Sequence, residues 1–73
     1  MSTLKDAENY KELVIKDITD DSVYETMTSQ GFSVGSEVKI ISKLPFNGAI
    51  TCESNQTRFA IRAEDAAHIV VID

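Results

Sequence analysis

The apolar residues of this chain come in short runs, and turn-forming residues stand between the runs. Five segments rich in β-branched or alternating apolar residues predict strands: 12–18, 36–44, 49–54, 58–62 and 69–73. A lone open sheet of this size would leave one face wet and bury too small a core. Short strands joined by tight turns therefore favour a mainly β fold, a small partly closed barrel of about five strands with one or two short helices.

The alternation also predicts which strand residues face the core. In residues 36–44 and 58–62 apolar side chains alternate with charged ones, so each segment has one apolar face. The expected core-facing residues of the strands are Ile15, Ile18, Val38, Ile40, Phe59 and Ile61.

Residues 19–32, TDDSVYETMTSQGF, change from a strand period to a helical one. Val23 and Met27 are spaced i and i+4 and share one helix face. Gly31 stands where a helix ends in the left-handed region, with Phe32 as the hydrophobic contact that follows it. A second helical turn is predicted in AEDAAH, residues 63–68. Three residues are candidates for the first helix's N-cap: Asp20, Asp21 and Ser22.

Length and charge limit the classes of function. A chain of 73 residues makes one domain near the lower limit for a self-sufficient core. Its net charge of −5 argues against binding to nucleic acid or an anionic membrane, since both need clustered Lys and Arg. The seven basic residues form no run. We therefore predict no nucleic-acid partner.

The ends of the chain and its single cysteine bear on location. Residues 1–11 are polar, so we expect a flexible or weakly ordered N-terminus followed by a single domain over residues 12–73. The polar start contains no apolar signal segment, and the longest apolar run is IVVI, far shorter than the roughly 20 residues of a spanning helix. The sole cysteine, Cys52, suits a reducing compartment. These features predict a cytoplasmic protein, reaching the inner face of a membrane only through a partner.

The stretch PFNGAI, residues 45–50, joins two predicted strands and holds the only proline. Asn47-Gly48 predicts a tight hairpin turn, because both residues tolerate positive φ. Phe46 is a large aromatic in a loop where solvent is expected. Two interpretations remain open for Phe46: it covers the end of the barrel, or it contacts a partner.

No catalytic constellation is evident. Cys52 lies in a predicted strand and is interpreted as a packed residue, with a reactive thiol or a metal ligand as alternatives. His68 is interpreted as a partner of helix-terminal carbonyls rather than a metal ligand. The sequence thus predicts no catalytic, cofactor-binding or metal-binding residue. The acidic clusters are interpreted as helix caps and dipole partners, with a cation site as the alternative: Asp17, Asp20, Asp21, Glu64 and Asp65.

Four segments occur in an order that resembles the FeoA family, the small ferrous iron transport protein A: SQGFSVGSEVKII, KLPFNGAI, RFAIR and EDAAHIVVI. The family pattern resembles L-x-x-x-G-x-x-x-G-S-x-x-x-V, then P-x-G-x-P-I, then L-x-L-R-x-x-x-A-x-x-I. Residues of this chain that fit the pattern are Gly31, Gly35, Pro45, Gly48, Arg62, Ala66 and Ile69. Ala49 stands where the family often has a second proline. The resemblance covers residues 13–72.

The resemblance implies an SH3-like barrel that acts as a non-enzymatic accessory protein of ferrous iron uptake. The implied partner is FeoB, a membrane transporter with a cytosolic GTP-binding domain. The fold unit also resembles the C-terminal module of some iron-dependent repressors. Candidate partner-binding residues are the apolar groups of the loop and helix, although Tyr24 and Met27 fit a core position better: Leu44, Pro45, Phe46, Asn47, Tyr24 and Met27.

An alternative function is a small Fe²⁺-responsive metal-binding or regulatory module. Carboxylates together with His68 would supply oxygen and imidazole ligands, which suit Fe²⁺. The leading interpretation predicts no cofactor. The alternative predicts a weak interaction with Fe²⁺. The sequence does not fix the oligomeric state.

Overall fold

The computed structural model describes residues 2–73, and it consists of one antiparallel sheet with two short helices. The sheet has six strands in the order β1-β6-β2-β3-β4-β5. In chain order, the elements are β1 (Ser2–Thr3), β2 (Glu12–Ile18), α1 (Asp21–Ser29), β3 (Glu37–Lys43), β4 (Ile50–Ser54), β5 (Thr57–Ile61), α2 (Ala63–Ala66) and β6 (Ile69–Ile72). The predicted mainly β, partly closed barrel is confirmed, with six strands rather than about five.

The strand alternation produces the core as predicted on β3 and β5. Val38 and Ile40 of β3, and Phe59 and Ile61 of β5, are buried, while the charged residues that alternate with them are more exposed. Seventeen buried hydrophobic residues form one continuous cluster that includes both helices. Among residues 2–73, no helix has the length and apolar character needed to cross a membrane.

In β2 a bulge explains an apolar spacing that does not fit a regular strand. Ile15 and Ile18 are three residues apart, which would put them on opposite faces of an even pleat. The pairing of β2 with β6 shifts register between Ile15 and Asp17, so the alternation is reset. Ile15 is fully buried, Ile18 packs against the core while half-buried, and Leu13 is a core residue that the sequence analysis missed.

Both ends of α1 are capped as the sequence predicts. The Asp20 carboxylate accepts hydrogen bonds from the backbone N–H groups of Ser22 and Val23, at 2.9 and 3.0 Å. Hydrogen bonding lowers the pKa of Asp20, the largest cause being the side-chain bond from Ser22. At the other end Gly31 has φ of 90°, and Phe32 N–H donates to Met27 O at 2.9 Å. This is the Schellman arrangement that satisfies the last helical carbonyls.

The N-terminal segment is packed against the barrel, contrary to the predicted boundary at residue 12. β1 pairs with β6, with Ser2 opposite Val71, and Leu4 is fully buried. Leu4 N–H also donates to Ile69 O at 2.8 Å. A single apolar side chain in a polar stretch has no period to reveal it, so the sequence did not indicate this packing. Residues 2–7 are therefore part of the domain, and Met1 lies outside the described residues; how mobile the segment is stays a prediction.

Candidate partner-docking site

The loop between β3 and β4 forms its turn one residue earlier than Asn47-Gly48. Phe46 and Asn47 have φ of 58° and 59°, and Gly48 N–H donates to Pro45 O at 3.1 Å. Two central residues in the left-handed region are the feature of the hairpin turns that match strand twist. The prediction of a tight turn is confirmed, while the prediction that Asn47 and Gly48 are its central pair is wrong.

Gly48 is needed in this loop for space rather than for positive φ. A Cβ atom built on Gly48 would lie 2.7 Å from Leu44 Cβ and 3.1 Å from Pro45 O. Leu44 N–H donates to Ala49 O at 3.0 Å, which holds the two sides of the loop at this distance. The loop can therefore close only because residue 48 has no side chain.

The apolar side chains of the loop point into solvent. Phe46 is 98% exposed and Leu44 is 59% exposed. Of the two interpretations left open for Phe46, covering the barrel end is therefore wrong. An aromatic side chain held clear of the protein on a tight turn is available for contact with another molecule.

The base of the loop is tied to the N-terminal segment. The Lys43 ammonium group, at the end of β3, donates hydrogen bonds to the carbonyl oxygens of Lys5 and Ala7. A groove of about 490 Å³ runs beside the loop, and its walls include Lys5, Asn47 and Arg62. The sequence analysis missed Lys43, because a contact between residues 36 to 38 positions apart leaves no local signal.

The two helix residues proposed for docking differ in accessibility. Tyr24 is 48% exposed on α1, but Met27 is 1% exposed and belongs to the core. Met27 as a partner-binding residue is therefore wrong: it lies one turn beyond Val23 on the face that packs on the sheet. A second groove lies between α1 and β5. The groove beside the loop is a different one and is lined by the N-terminal segment and α2. Tyr24 therefore does not share the groove beside the loop.

Cys52 and His68 lie in different surroundings. Cys52 is fully buried in β4, and burial raises the pKa of its thiol to about 11, so the nucleophilic thiolate is scarce at neutral pH. His68 is exposed beside Thr19, with Nδ1 3.3 Å from the Thr19 hydroxyl, and Thr19 N–H donates to His68 O at 2.8 Å. His68 thus contacts the residue that precedes the N-cap of α1.

Several acidic side chains are engaged with helix ends and arginine. Asp65 accepts from Arg62 at 3.2 Å, and Glu64 lies 3.3 Å from the same guanidinium. The pairing raises the pKa of Arg62, chiefly through the hydrogen bond to Asp65. Among residues 2–73, no three His, Cys, Asp or Glu side chains converge as a metal site would require.

Comparison with known proteins agrees with this geometry. A family model described as the FeoA domain matches residues 2–73. FeoA from Stenotrophomonas maltophilia in complex with zinc, described as a prokaryotic SH3 domain protein, matches with a TM-score of 0.82 and 26% identity over 99% of this chain and 91% of its own. A search of curated proteins finds no match.

Two further solved structures share the fold at lower identity. The FeoA protein from Chlorobium tepidum has a TM-score of 0.84 at 17% identity, covering 94% of this chain and 67% of its own. The manganese regulator SloR has a TM-score of 0.85 at 19% identity, covering 97% of this chain and 34% of its own. The chain therefore spans about a third of the length of SloR.

Proposed function

The chain belongs to the FeoA family of ferrous iron transport, and from this we propose that it is a non-enzymatic accessory protein that docks on a FeoB-type transporter. The S. maltophilia relative has been suggested to act as a ferrous iron transport activating factor. Docking would take place in the cytoplasm, on the transporter's cytosolic part with its GTP-binding domain. The membrane would be reached through this partner alone.

The observation that carries the docking proposal is the exposure and backbone conformation of Phe46 in a loop that also exposes a second apolar side chain, Leu44. The side chain is 98% exposed, so it adds almost nothing to the folded core. Its φ of 58° costs a bulky residue on the order of 1–2 kcal/mol relative to ordinary conformations. Folding alone would favour Asn or Gly at this position. Burial in a partner's pocket would gain about 1.5–3 kcal/mol for a Phe side chain, which offsets the cost.

Leu44, Pro45 and Asn47 would complete the docking surface around Phe46. Leu44 adds a second exposed apolar side chain, and Pro45 fixes φ where the chain enters the turn. Aromatic anchors flanked by smaller contacts are typical of the centre of a protein interface. Tyr24 would extend the contact only if the partner also reached α1.

Replacing Phe46 with Asp tests the docking proposal. Asp tolerates positive φ, so the fold should persist, while a charge at the centre of an apolar contact should abolish co-purification with the transporter's cytosolic domain. Tyr10→Asp is the matched control, because Tyr10 is also an exposed aromatic at positive φ, 69% exposed with φ of 62°. Retained binding of Phe46→Asp, with the circular dichroism spectrum unchanged, would remove the loop from the proposal.

A metal-responsive module is the second candidate, supported by the similarity to the manganese regulator SloR and by the surroundings of His68. His68 Nδ1 lies 3.3 Å from the hydroxyl of Thr19, the residue before Asp20, so an imidazole and a carboxylate are on neighbouring parts of the surface. Anaerobic titration calorimetry with Fe²⁺ separates the two candidates. The accessory role predicts no micromolar site, whereas a micromolar site lost in His68→Ala would favour the metal-responsive role.

A further inference from the structure

Strand β5 lies at the open edge of the sheet. In the order β1-β6-β2-β3-β4-β5, the strand Thr57–Ile61 has β4 on one side and, within residues 2–73, no strand on the other. A free strand edge presents a row of backbone donors and acceptors that another extended chain can match. The other edge is β1, which has only two residues.

The turn before β5 determines which of its backbone groups are free. Asn55 and Gln56 form a two-residue turn with φ of 52° and 68°, and Ser54 pairs with Thr57 across it. In such a hairpin the two residues that flank the turn form a hydrogen-bonded pair, and every second pair after it is also hydrogen-bonded. The backbone N–H and C=O groups of the β5 residues between these pairs therefore point away from β4. Those residues are Arg58 and Ala60. Within residues 2–73, no backbone hydrogen bond outside the ladder with β4 engages their N–H or C=O.

A groove between α1 and this edge leaves room for an added strand. The groove measures about 290 Å³, with Thr26 and Gln30 of α1 on one wall and Ala60 of β5 on the other. The Phe32 and Phe59 rings, 4.4 Å apart between centroids, pack the residue that follows the end of α1 against β5. A groove between a helix and an edge strand is an arrangement in which extended peptides add to a sheet.

The side chains beside the free backbone groups favour an acidic occupant. Arg58, Ala60 and Arg62 are exposed along the strand direction, so two basic side chains stand at this edge although the net charge of the chain is −5. Asp65 also lines the groove, and its carboxylate is paired with Arg62. Arg58 is 64% exposed and binds Glu53 through Nε alone at 3.1 Å, which leaves its terminal nitrogens for a second carboxylate. Arg62 already contacts Glu64 and Asp65, so it contributes less. A second copy of β5, paired antiparallel so that Arg58 faces Ala60, would supply no carboxylate for Arg58 and would place the two Arg58 side chains on the same face of the joined sheet.

We propose that the edge of β5 is a strand-addition site for an extended, acidic segment of a partner protein. The segment hydrogen-bonds to the backbone of Arg58 and Ala60, contacts α1 across the groove, and places a carboxylate on Arg58. This surface centres on Arg58 and Ala60 and meets the groove beside the Phe46 loop only at Arg62, and it does not depend on the docking proposed there. Its occupant is defined by backbone geometry and charge.

Amide hydrogen exchange of the whole chain, followed by NMR, tests the site with a defined probe. The probe is a short capped peptide alternating glutamate with valine at millimolar concentration, compared with the same peptide carrying lysine in place of glutamate. We expect the acidic peptide to slow exchange of the Arg58 and Ala60 amides by about tenfold or more, because binding closes these groups from solvent. The amides of Phe59 and Ile61 bond to β4 and serve as internal references.

Substitutions distinguish strand addition from binding through side chains alone. Ala60→Pro removes an outward N–H without touching the bonds to β4, so it should abolish the effect, whereas Ala60→Val keeps the N–H and should preserve it. Arg58→Glu should reverse the preference between the two peptides. Unchanged exchange at Arg58 and Ala60 with the acidic peptide overturns the proposal. Protection that instead rises with protein concentration alone, with a dimer in sedimentation velocity, assigns the edge to a second copy and also overturns it.

Discussion

Phe46 combines two unfavourable properties in the free protein: an exposed aromatic side chain and a left-handed backbone. In the sequence, Phe46 is unusual because no apolar residue is expected beside Asn-Gly. The predicted turn centre was wrong because the rule that puts Asn and Gly there ignores the space that Gly48 must provide against Leu44. Steric contact across the loop decides the position of the turn, and one sequence does not show that contact.

Phe46→Asn should stabilise the isolated protein. Asn tolerates positive φ, so the change should raise the free energy of unfolding by about 1 kcal/mol, or the melting temperature by roughly 4–8 °C for a domain of this size. Thermal and urea unfolding measure the effect. Leu44→Asn is the control, since it removes an exposed apolar side chain at a residue without positive φ. An equal gain in Leu44→Asn would show that solubility, not backbone strain, is responsible.

Burial of Cys52 should make stability depend on alkaline pH. The pKa of the thiol is raised from 9.0 to about 11 in the folded chain, because burial disfavours the thiolate. The unfolded chain therefore loses this proton first, so this contribution to stability is complete below pH 9 and is lost between about pH 9 and 11, by about 3 kcal/mol in total. Urea unfolding across this range should show a slope that Cys52→Ala removes. A slope identical in both proteins would assign it to other groups.

At the scale of elements, local sequence predicted what local interactions determine. The cap at Asp20, the ending at Gly31 and the alternation of Phe59 and Ile61 all depend on residues within a few positions of each other. The bulge in β2 was visible only as an irregular spacing, since the register shift is set by pairing with β6. β1 was missed because its pairing partner lies at the other end of the chain.

Leu4→Ala tests whether the N-terminal segment is part of the domain. Leu4 is fully buried, so its truncation should lower the free energy of unfolding by about 2–5 kcal/mol, as for other core leucines. Glu8→Ala, at an exposed position of the same segment, should change it by less than about 0.5 kcal/mol. Urea denaturation of both variants makes the measurement. A Leu4→Ala variant as stable as the parent would restore the boundary at residue 12.

For the molecule as a whole, the ordered set of short strands was enough to predict the barrel, and the family assignment agrees with it. The position of the loop followed from the sequence, while its surroundings did not. Lys43 reaches Lys5 and Ala7 only because the barrel brings β3 beside the N-terminal segment. Met27 was kept as a docking candidate although its spacing from Val23 fitted the packed face better, and the structure buries it there. Exposure of a helix residue depends on which way the helix is turned, and this is decided by the sheet.

The pairing of β1 with β6 has a consequence for how the chain acquires its structure during synthesis. Ser2 faces Val71, so this contact joins residues separated by nearly the entire chain. Contacts of long sequence separation slow folding, since a large loop must close before they form. The backbone N–H of Leu4 therefore has no Ile69 carbonyl to bond to until Ile69 has been synthesised. The pairing of β1 with β6 is therefore expected to be among the last contacts of the sheet to form.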